Sequence, residues 1–247
     1  MRRFSLVALM FCAAGVVHAR GNLKELTVPL RFVPQEGVHA TNPDLQPGLT
    51  DVAVQLVVED ARKQDNLLTI GQGTGGDDKL FPINADQNPV GYCREVLAGV
   101  AKQWGLKEAT PAARTLTLQV TRFFVDESNK AVGSVYGTEV KVAYKLTDAR
   151  GATLATGATS GTAHRYGRAH SPENINEVLS DATKEAYANV IGDAALQTAW
   201  VSGKPAAAAS QGISAEDRLR QLDELLKKGL ITKDEYAKKR ADILKDM

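Results

Sequence analysis

Apolar and polar residues alternate in several segments of the chain, which is the pattern of strands with one buried face. The clearest segments are residues 52–58, 115–125 and 139–146, and a run of small residues at 152–163 follows a turn at 147–151. Residues 26–32 also alternate, but proline cannot donate to a ladder, so Pro29 allows only an edge strand there. The pattern therefore predicts a sheet of several strands.

Two other segments carry apolar residues at helical spacing. The first opens with Asn88 and Pro89, an N-cap followed by proline at the first helical position, and ends at Gly105. The second opens at Ser171-Pro172 and is long. The order β-α-β-β-β-α predicts an α+β fold, in which an antiparallel sheet carries two packed helices. The mostly polar stretch 59–88 is expected to be a loop.

The C-terminal residues 214–247 predict a helical hairpin on a flexible linker. Residues 201–213 supply that linker and are rich in alanine, glycine and serine. Gly229 stands at the left-handed C-cap of the first helix, while Thr232 and Glu235 form a capping box for the second. A unit this small rarely buries a core alone, so we expect it to dock on a protein partner or on a second copy. The expected contact residues are Leu219, Leu222, Leu225, Leu226, Ile231, Tyr236 and Leu244.

The hairpin resembles the short C-terminal domain called SHOCT. The resemblance rests on the spaced leucines, on residues 228–236 (KGLITKDEY) and on a lysine-rich second helix that ends in Ile243-Leu244. It covers about 30 of the 247 residues. The resemblance implies an appended module that mediates oligomerisation or docking, and it implies no catalysis.

The body, predicted to span residues 51–200 after an extended N-terminal segment at 20–50, is similar to the YajG-type envelope lipoproteins. The similarity rests on the sequences VAV at 52–54, DAR at 60–62, Ile70-Gly71, and the helix opening ENI at 173–175. It also rests on the order of one helix, three strands and a long final helix. The resemblance implies an accessory protein of the bacterial envelope with a binding or structural role. Its usual N-terminus is lipidated.

Residues 1–19 have the layout of a secretory signal peptide. Arg2 and Arg3 precede an apolar stretch, and Val17-His18-Ala19 is a cleavage site of the A-x-A kind, so we expect a periplasmic protein. Cys12 would be the lipidated residue of a lipoprotein, but Phe11 stands where a small residue is required. We therefore expect membrane association only if Cys12 is lipidated.

Charge excludes one class of partner. Loss of Arg2 and Arg3 with the signal changes the formal net charge from +1 to −1. A chain without basic excess lacks the electrostatic footprint of nucleic-acid binding. In residues 214–247, nine basic side chains nearly balance eight acidic ones, so net charge does not drive docking of the hairpin.

Three motifs in the body carry candidate chemistry. Residues 71–76 fit the G-x-G-x-x-G spacing of nucleotide-binding loops, but two aspartates follow and no helix opens there, so we interpret them as a surface loop. Residues 164–170 are expected to form a loop, in which Arg165 and Arg168 are candidate anion contacts beside the N-terminus of the second helix. Cys93 lies on an apolar helix face, which favours a buried and inert thiol. We expect no cofactor and no metal.

The acidic pairs are poor candidates for catalysis. Glu59-Asp60 and Asp126-Glu127 are expected in solvated turns at strand ends, and adjacent acids on an extended chain point to opposite faces. A hydrolase, the third alternative, lacks any recognisable nucleophile motif. The favoured hypothesis is a non-enzymatic exported protein that acts by protein–protein interaction or oligomerisation through the hairpin. The alternative is a small-ligand or lipid carrier, marked by a cavity between sheet and helices or between residues 59–88 and the body.

Overall fold

The computed structural model describes residues 24–34, 42–75 and 79–206, together with four positions of the C-terminal segment, 222, 236, 239 and 240. The expected signal peptide with Cys12 lies outside the described residues. So do the remaining predicted contact, cap and turn residues of the hairpin, Leu219, Leu225, Leu226, Gly229, Ile231, Thr232, Glu235 and Leu244.

In the part of the chain up to residue 206 that the structure describes, seven strands form one mixed sheet with three α-helices, which confirms the α+β fold. The strands lie in the order β1-β4-β3-β5-β6-β7, and β2 also pairs with β5. The strands are β1 (Leu26–Val28), β2 (Val54–Asp60), β3 (Thr69–Thr74), β4 (Leu80–Ala85), β5 (Arg114–Asn129), β6 (Ser134–Asp148) and β7 (Thr153–Gly167). The helices are α1 (Pro89–Gln103), α2 (Pro172–Ile191) and α3 (Ala194–Ser202).

The long strands β5, β6 and β7 form an antiparallel meander, as the sequence predicts. The shorter strands add parallel pairs, because β2 runs parallel to residues 114–120 of β5 and β3 runs parallel to residues 125–127. β1 lies at the sheet edge and runs parallel to β4. Parallel neighbours need a long connection. Between β2 and β5 that connection includes β3, β4 and α1.

Helices α1 and α2 begin at the predicted caps and cover one face of the sheet. The Asn88 side chain accepts from the Val90 N–H, and the Ser171 hydroxyl accepts from the Asn174 N–H. Alternate residues of β5 and β6 are fully buried in the same core as the apolar stripe of α2. The buried residues include Leu116, Leu118, Val120, Val140, Val142, Ile175, Val178 and Leu179. The helices therefore leave the polar side chains of these strands on the opposite face.

The stretch 59–88 was predicted as a loop, and this prediction is wrong, because β3 and β4 lie within it. Glycines hide the strand signal of β3. A Cβ atom at Gly71 would overlap the carbonyl oxygen of Val125, and one at Gly73 would overlap the Phe81 ring. Larger residues would be excluded at both positions, so the alternating pattern disappears.

The short helix α3 was not predicted either. It begins at Asp193, whose side chain accepts from two main-chain N–H groups, and it ends at Gly203 with a positive φ. Its buried residues include the polar Gln197 beside Ala199 and Trp200, so no simple apolar stripe marks it. Within the described ranges, no helix has the length and apolar character needed to cross a membrane.

Candidate functional site

A buried carboxylate lies near the end of β5, where the meander meets the start of α2. Glu127 is only 2% exposed. Its Oε1 accepts from the main-chain N–H of His170 at 2.6 Å and from the Tyr136 hydroxyl at 3.1 Å, and the His170 Nδ1 lies 3.3 Å from Oε2. A buried carboxylate is costly unless such bonds compensate it. Glu127 therefore ties together β5, β6 and the loop before α2.

Tyr136 extends this network toward α2. Its hydroxyl lies 2.6 Å from the carbonyl oxygen of Arg168 and accepts from the N–H of Ser171 at 3.0 Å. Burial raises the pKa of the Tyr136 hydroxyl to about 12, and the nearby charge of Glu127 acts in the same direction. The hydroxyl therefore stays protonated at neutral pH and serves as a fixed hydrogen-bonding group.

His170 has an unusual backbone conformation within this cluster. Its φ is +54°, a left-handed value that non-glycine residues seldom adopt. The bonds from its N–H and ring to Glu127 hold this conformation, and its ring packs edge-to-face on Phe81 with the centroids 5.2 Å apart. Strained residues often cluster at functional sites. Here, however, the described hydrogen bonds of the histidine reach only the carboxylate, so the arrangement lacks a nucleophile.

The two candidate anion contacts already have carboxylate partners. Arg165 pairs with Glu177, and the Nη2 of Arg168 lies 3.5 Å from Oε2 of Glu173. The Ser171 hydroxyl donates to the same Glu173 carboxylate and holds its pKa below the usual value. The helix N-terminus is thus faced by an intramolecular carboxylate, and binding of an external anion at Arg165 and Arg168 stays a prediction.

Two predictions about this region are wrong. Residues 164–167, expected in a loop, are the last residues of strand β7. Glu127, expected in a solvated turn, is buried. The opposite-face prediction for the acidic pair agrees with the structure, since Asp126 is exposed and accepts from Gln72. The signal for Glu127 was its phase, because it shares a face with Phe123 and Val125.

The remaining motifs do not form a reactive site. Cys93 is fully buried, and burial raises the pKa of its thiol to about 12, in line with the predicted inert thiol. Residues 71–74 of the G-x-G-x-x-G motif belong to β3, so the interpretation as a surface loop is corrected to a strand. The described residues contain no group of three or more histidine, cysteine or acidic side chains arranged to hold a metal ion.

An open groove of about 270 Å³ lies between β2 and α1. Leu56 and Val58 of β2, Leu97 and Ala98 of α1, and the charged Arg94 and Glu108 line it. Pockets that enclose small molecules usually measure about 300–1,000 Å³. The groove is therefore too small and too open to enclose the ligand that the carrier alternative requires.

Two expected contact residues of the hairpin are described. Leu222 is helical and only 4% exposed, and Tyr236 is helical and half-buried. Lys239 and Arg240 are helical and exposed. At these four positions, the apolar Leu222 and Tyr236 are covered while the basic Lys239 and Arg240 are in solvent.

Comparison with known protein families gives two matches. A family described as uncharacterised lipoprotein matches residues 40–200, and the short C-terminal domain matches residues 217–244. These matches confirm the resemblances to an envelope lipoprotein and to SHOCT. A search of the curated proteins finds no match to the chain.

Solved structures with a similar arrangement come from several bacteria. A DUF330 protein from Xanthomonas campestris is 11% identical with a TM-score of 0.43, and the match covers 69% of this chain and 93% of that one. A candidate lipoprotein from Caulobacter crescentus is 24% identical with a TM-score of 0.35, covering 49% and 88%. A minor lipoprotein from Acinetobacter baumannii is 11% identical with a TM-score of 0.34, covering 57% and 91%.

Proposed function

The chain belongs to the uncharacterised lipoprotein family, and on that premise we propose that it is an exported accessory protein of the bacterial envelope that acts by binding. The binding element is the C-terminal hairpin of residues 214–247, which docks on a protein partner or on the hairpin of a second copy. The protein reaches the periplasm through its signal peptide. Catalysis has no part in this role.

The chemistry of the body supports a binding role. The one cysteine outside the signal peptide, Cys93, is buried with a raised pKa, and the carboxylate of Glu127 is occupied by hydrogen bonds from the Tyr136 hydroxyl and the His170 N–H. Nucleophilic catalysis needs an activated group beside a base. The hydrogen bonds of the described polar clusters instead attach strands to the helix that follows them.

The observation that carries the proposal is the match of residues 217–244 to the short C-terminal domain. This segment is too short to bury a sizeable core by itself, and within the single chain Leu222 of its apolar stripe is only 4% exposed. Apolar residues at this spacing gain most when another surface covers them. We infer that the stripe works as a contact face, while the basic face that carries Lys239 and Arg240 stays in solvent.

The first test compares the mature chain, residues 20–247, with a form that ends at Ala206. Ala206 is kept because its N–H donates to the carbonyl of Leu154 in β7 at 2.8 Å and so belongs to the folded body. We expect the full chain to form an oligomer or to retain a partner in pull-downs, and the truncated chain to be a monomer that retains none. Mass in solution by light scattering and identification of retained proteins are the measurements.

A matched pair of variants separates the contact stripe from the charge of the hairpin. Leu222→Asp places a charge on the covered face, whereas Arg240→Asp places one on the exposed face. We expect the first variant to abolish association and the second to leave it unchanged, with helicity of both checked by circular dichroism. Monomeric full-length and truncated proteins that retain no partner would sink the proposal.

A further inference from the structure

The strand order β1-β4-β3-β5-β6-β7 has an edge strand on each side, and the fold protects both of these edges. At the β7 end, the Asn189 side chain donates to the carbonyl of Ser160 at 2.9 Å, and the Glu185 carboxylate accepts from the N–H of Thr162 at 2.7 Å. The N–H of Ala206 takes up the carbonyl of Leu154. At the other end, β1 is only three residues long. Covering an edge and shortening it are both ways to prevent unwanted strand pairing.

The outer edge of β2 has no such protection in the described part of the chain. β2 has seven residues and pairs with β5 on one side. On the other side, Val54 alone is bonded, because its N–H donates to Lys107 at 2.9 Å and its carbonyl accepts from Ala109 at 3.0 Å. The short segment 107–109 thus begins a parallel ladder along β2, and the bridge it makes is confined to Val54 and Glu108.

The next rungs of this ladder are open. In a parallel ladder, alternate residues of a strand direct both their N–H and C=O groups to the same neighbour. Leu56 and Val58 share the phase of Val54, so their main-chain groups point to the outer edge, while those of Gln55 and Val57 point to β5. Within the described residues, no segment takes up these groups of Leu56 and Val58.

The groove between β2 and α1 opens beside these rungs. Its floor includes Leu97, which is 1% exposed, and Ala98. Arg94 and Glu108 are exposed on its rim, and neither forms an ion pair with a described residue. The volume of about 270 Å³ is below the usual range for an enclosed small molecule. A side chain that enters from an adjacent strand needs far less enclosure.

We propose that this edge binds an extended segment of a partner protein by strand addition. The segment continues the ladder begun by residues 107–109 and pairs with the main chain of Leu56 and Val58. An apolar side chain of the segment packs over Leu97, and an acidic side chain lies beside Arg94. Main-chain bonds give such complexes their affinity and the alternate side chains give specificity. Binding at this edge uses residues of the body and does not require the proposed role of the hairpin.

The first test is hydrogen exchange in the free mature protein. We expect the amides of Leu56 and Val58 to exchange about tenfold faster than those of Gln55 and Val57, since only the latter pair donates to β5. The difference should not depend on protein concentration. Protection of Leu56 and Val58 at every concentration would mean that the chain itself covers the edge, and protection that grows with concentration would mean that a second copy is the occupant. Either result overturns the proposal.

The second test uses synthetic peptides. The binding probe is the capped heptapeptide Thr-Val-Thr-Asp-Thr-Val-Thr, whose valines and aspartate share one face, and its control has proline in place of each threonine, which removes alternate donors. We expect the probe at millimolar concentration to slow exchange at Leu56 and Val58, and the proline peptide to leave it unchanged. Equal effects of both peptides, or no effect of either, would count against strand addition.

Two variants of helix α1 test the charge of the bound segment. We expect Arg94→Glu to weaken binding of the aspartate peptide by about threefold, the size of an exposed ion pair. It should strengthen binding of a peptide with lysine at that position. Lys102→Glu makes the same charge change at an exposed site outside the groove lining and should alter neither affinity. Equal effects of the two variants would show that general charge, and not Arg94, governs binding.

Discussion

Glu127 shows how one buried charge can organise a junction between elements. The carboxylate receives the Tyr136 hydroxyl and the His170 N–H, and these two groups belong to different elements. The same contacts hold His170 in a left-handed conformation. Removing the carboxylate leaves the His170 N–H without its acceptor, and an unsatisfied buried donor costs more than a single hydrogen bond contributes. The cluster is therefore expected to matter for stability.

Substitution of this carboxylate gives the residue-scale prediction. We expect Glu127→Ala to lower the free energy of unfolding by about 1–3 kcal/mol, the range for leaving a buried donor unsatisfied. Asp126→Ala, at the adjacent exposed position, is the control and should change it by less than about 0.5 kcal/mol. Urea unfolding of the mature protein measures both. Similar losses of unfolding free energy in the two variants would contradict a special role for the buried Glu127 carboxylate.

At the scale of single elements, β3 depends on glycine for its place beside β5 and β4. Gly71 brings the strand against the carbonyl of Val125, and Gly73 leaves room for the Phe81 ring. Both positions have ordinary strand conformations. Glycine is therefore required because there is no space for a Cβ atom, and not because the backbone needs its conformational freedom. This dependence explains why the strand was invisible in the hydrophobic pattern.

Two glycine variants test this explanation. We expect Gly71→Ala to destabilise the protein by about 1–3 kcal/mol through overpacking against β5. Gly99→Ala in α1, where an added Cβ meets open space, should instead stabilise it by about 0.5–1 kcal/mol. Thermal and urea unfolding of both variants are the measurements. A neutral Gly71→Ala would show that β3 can shift away from β5 at no cost.

At the scale of the whole molecule, two segments of the sequence bear on the proposed function, the predicted signal peptide and the predicted hairpin. Their sequence features differ in specificity. The hairpin has a defined cap, turn and stripe and is matched by a known domain at residues 217–244. The N-terminus combines a signal-like layout with a cysteine that follows Phe11. The family consists of lipoproteins, so the fate of Cys12 decides how the protein is held in the envelope.

Intact-mass measurement of protein purified from the envelope tests the N-terminus. We expect cleavage after Ala19, a mature chain that starts at Arg20, and no lipid, because bulky Phe11 precedes Cys12. A Cys12→Ser variant should then give the same mature mass. A chain that starts at Cys12 and carries acyl groups, together with loss of this species in the variant, would contradict the expectation and establish a membrane tether.

Sequence patterns predicted much of the regular structure. The caps at Asn88 and Ser171, the long meander and the burial of Cys93 could all be read from neighbouring residues. These features depend on local periodicity and on the chemistry of helix ends, which act within a few residues. The α+β class followed from the order of those elements.

Tertiary structure decided what lies beside what. The parallel pairing of β2 and β3 with β5 and the bond from the His170 N–H that satisfies the Glu127 carboxylate all join residues more than 40 positions apart. No local pattern contains those contacts. The open edge of β2 beside Arg94 likewise becomes visible only after β5 has taken the other side of the strand. Local periodicity thus determined the elements of this protein, while long-range packing determined which of their surfaces remain available for binding.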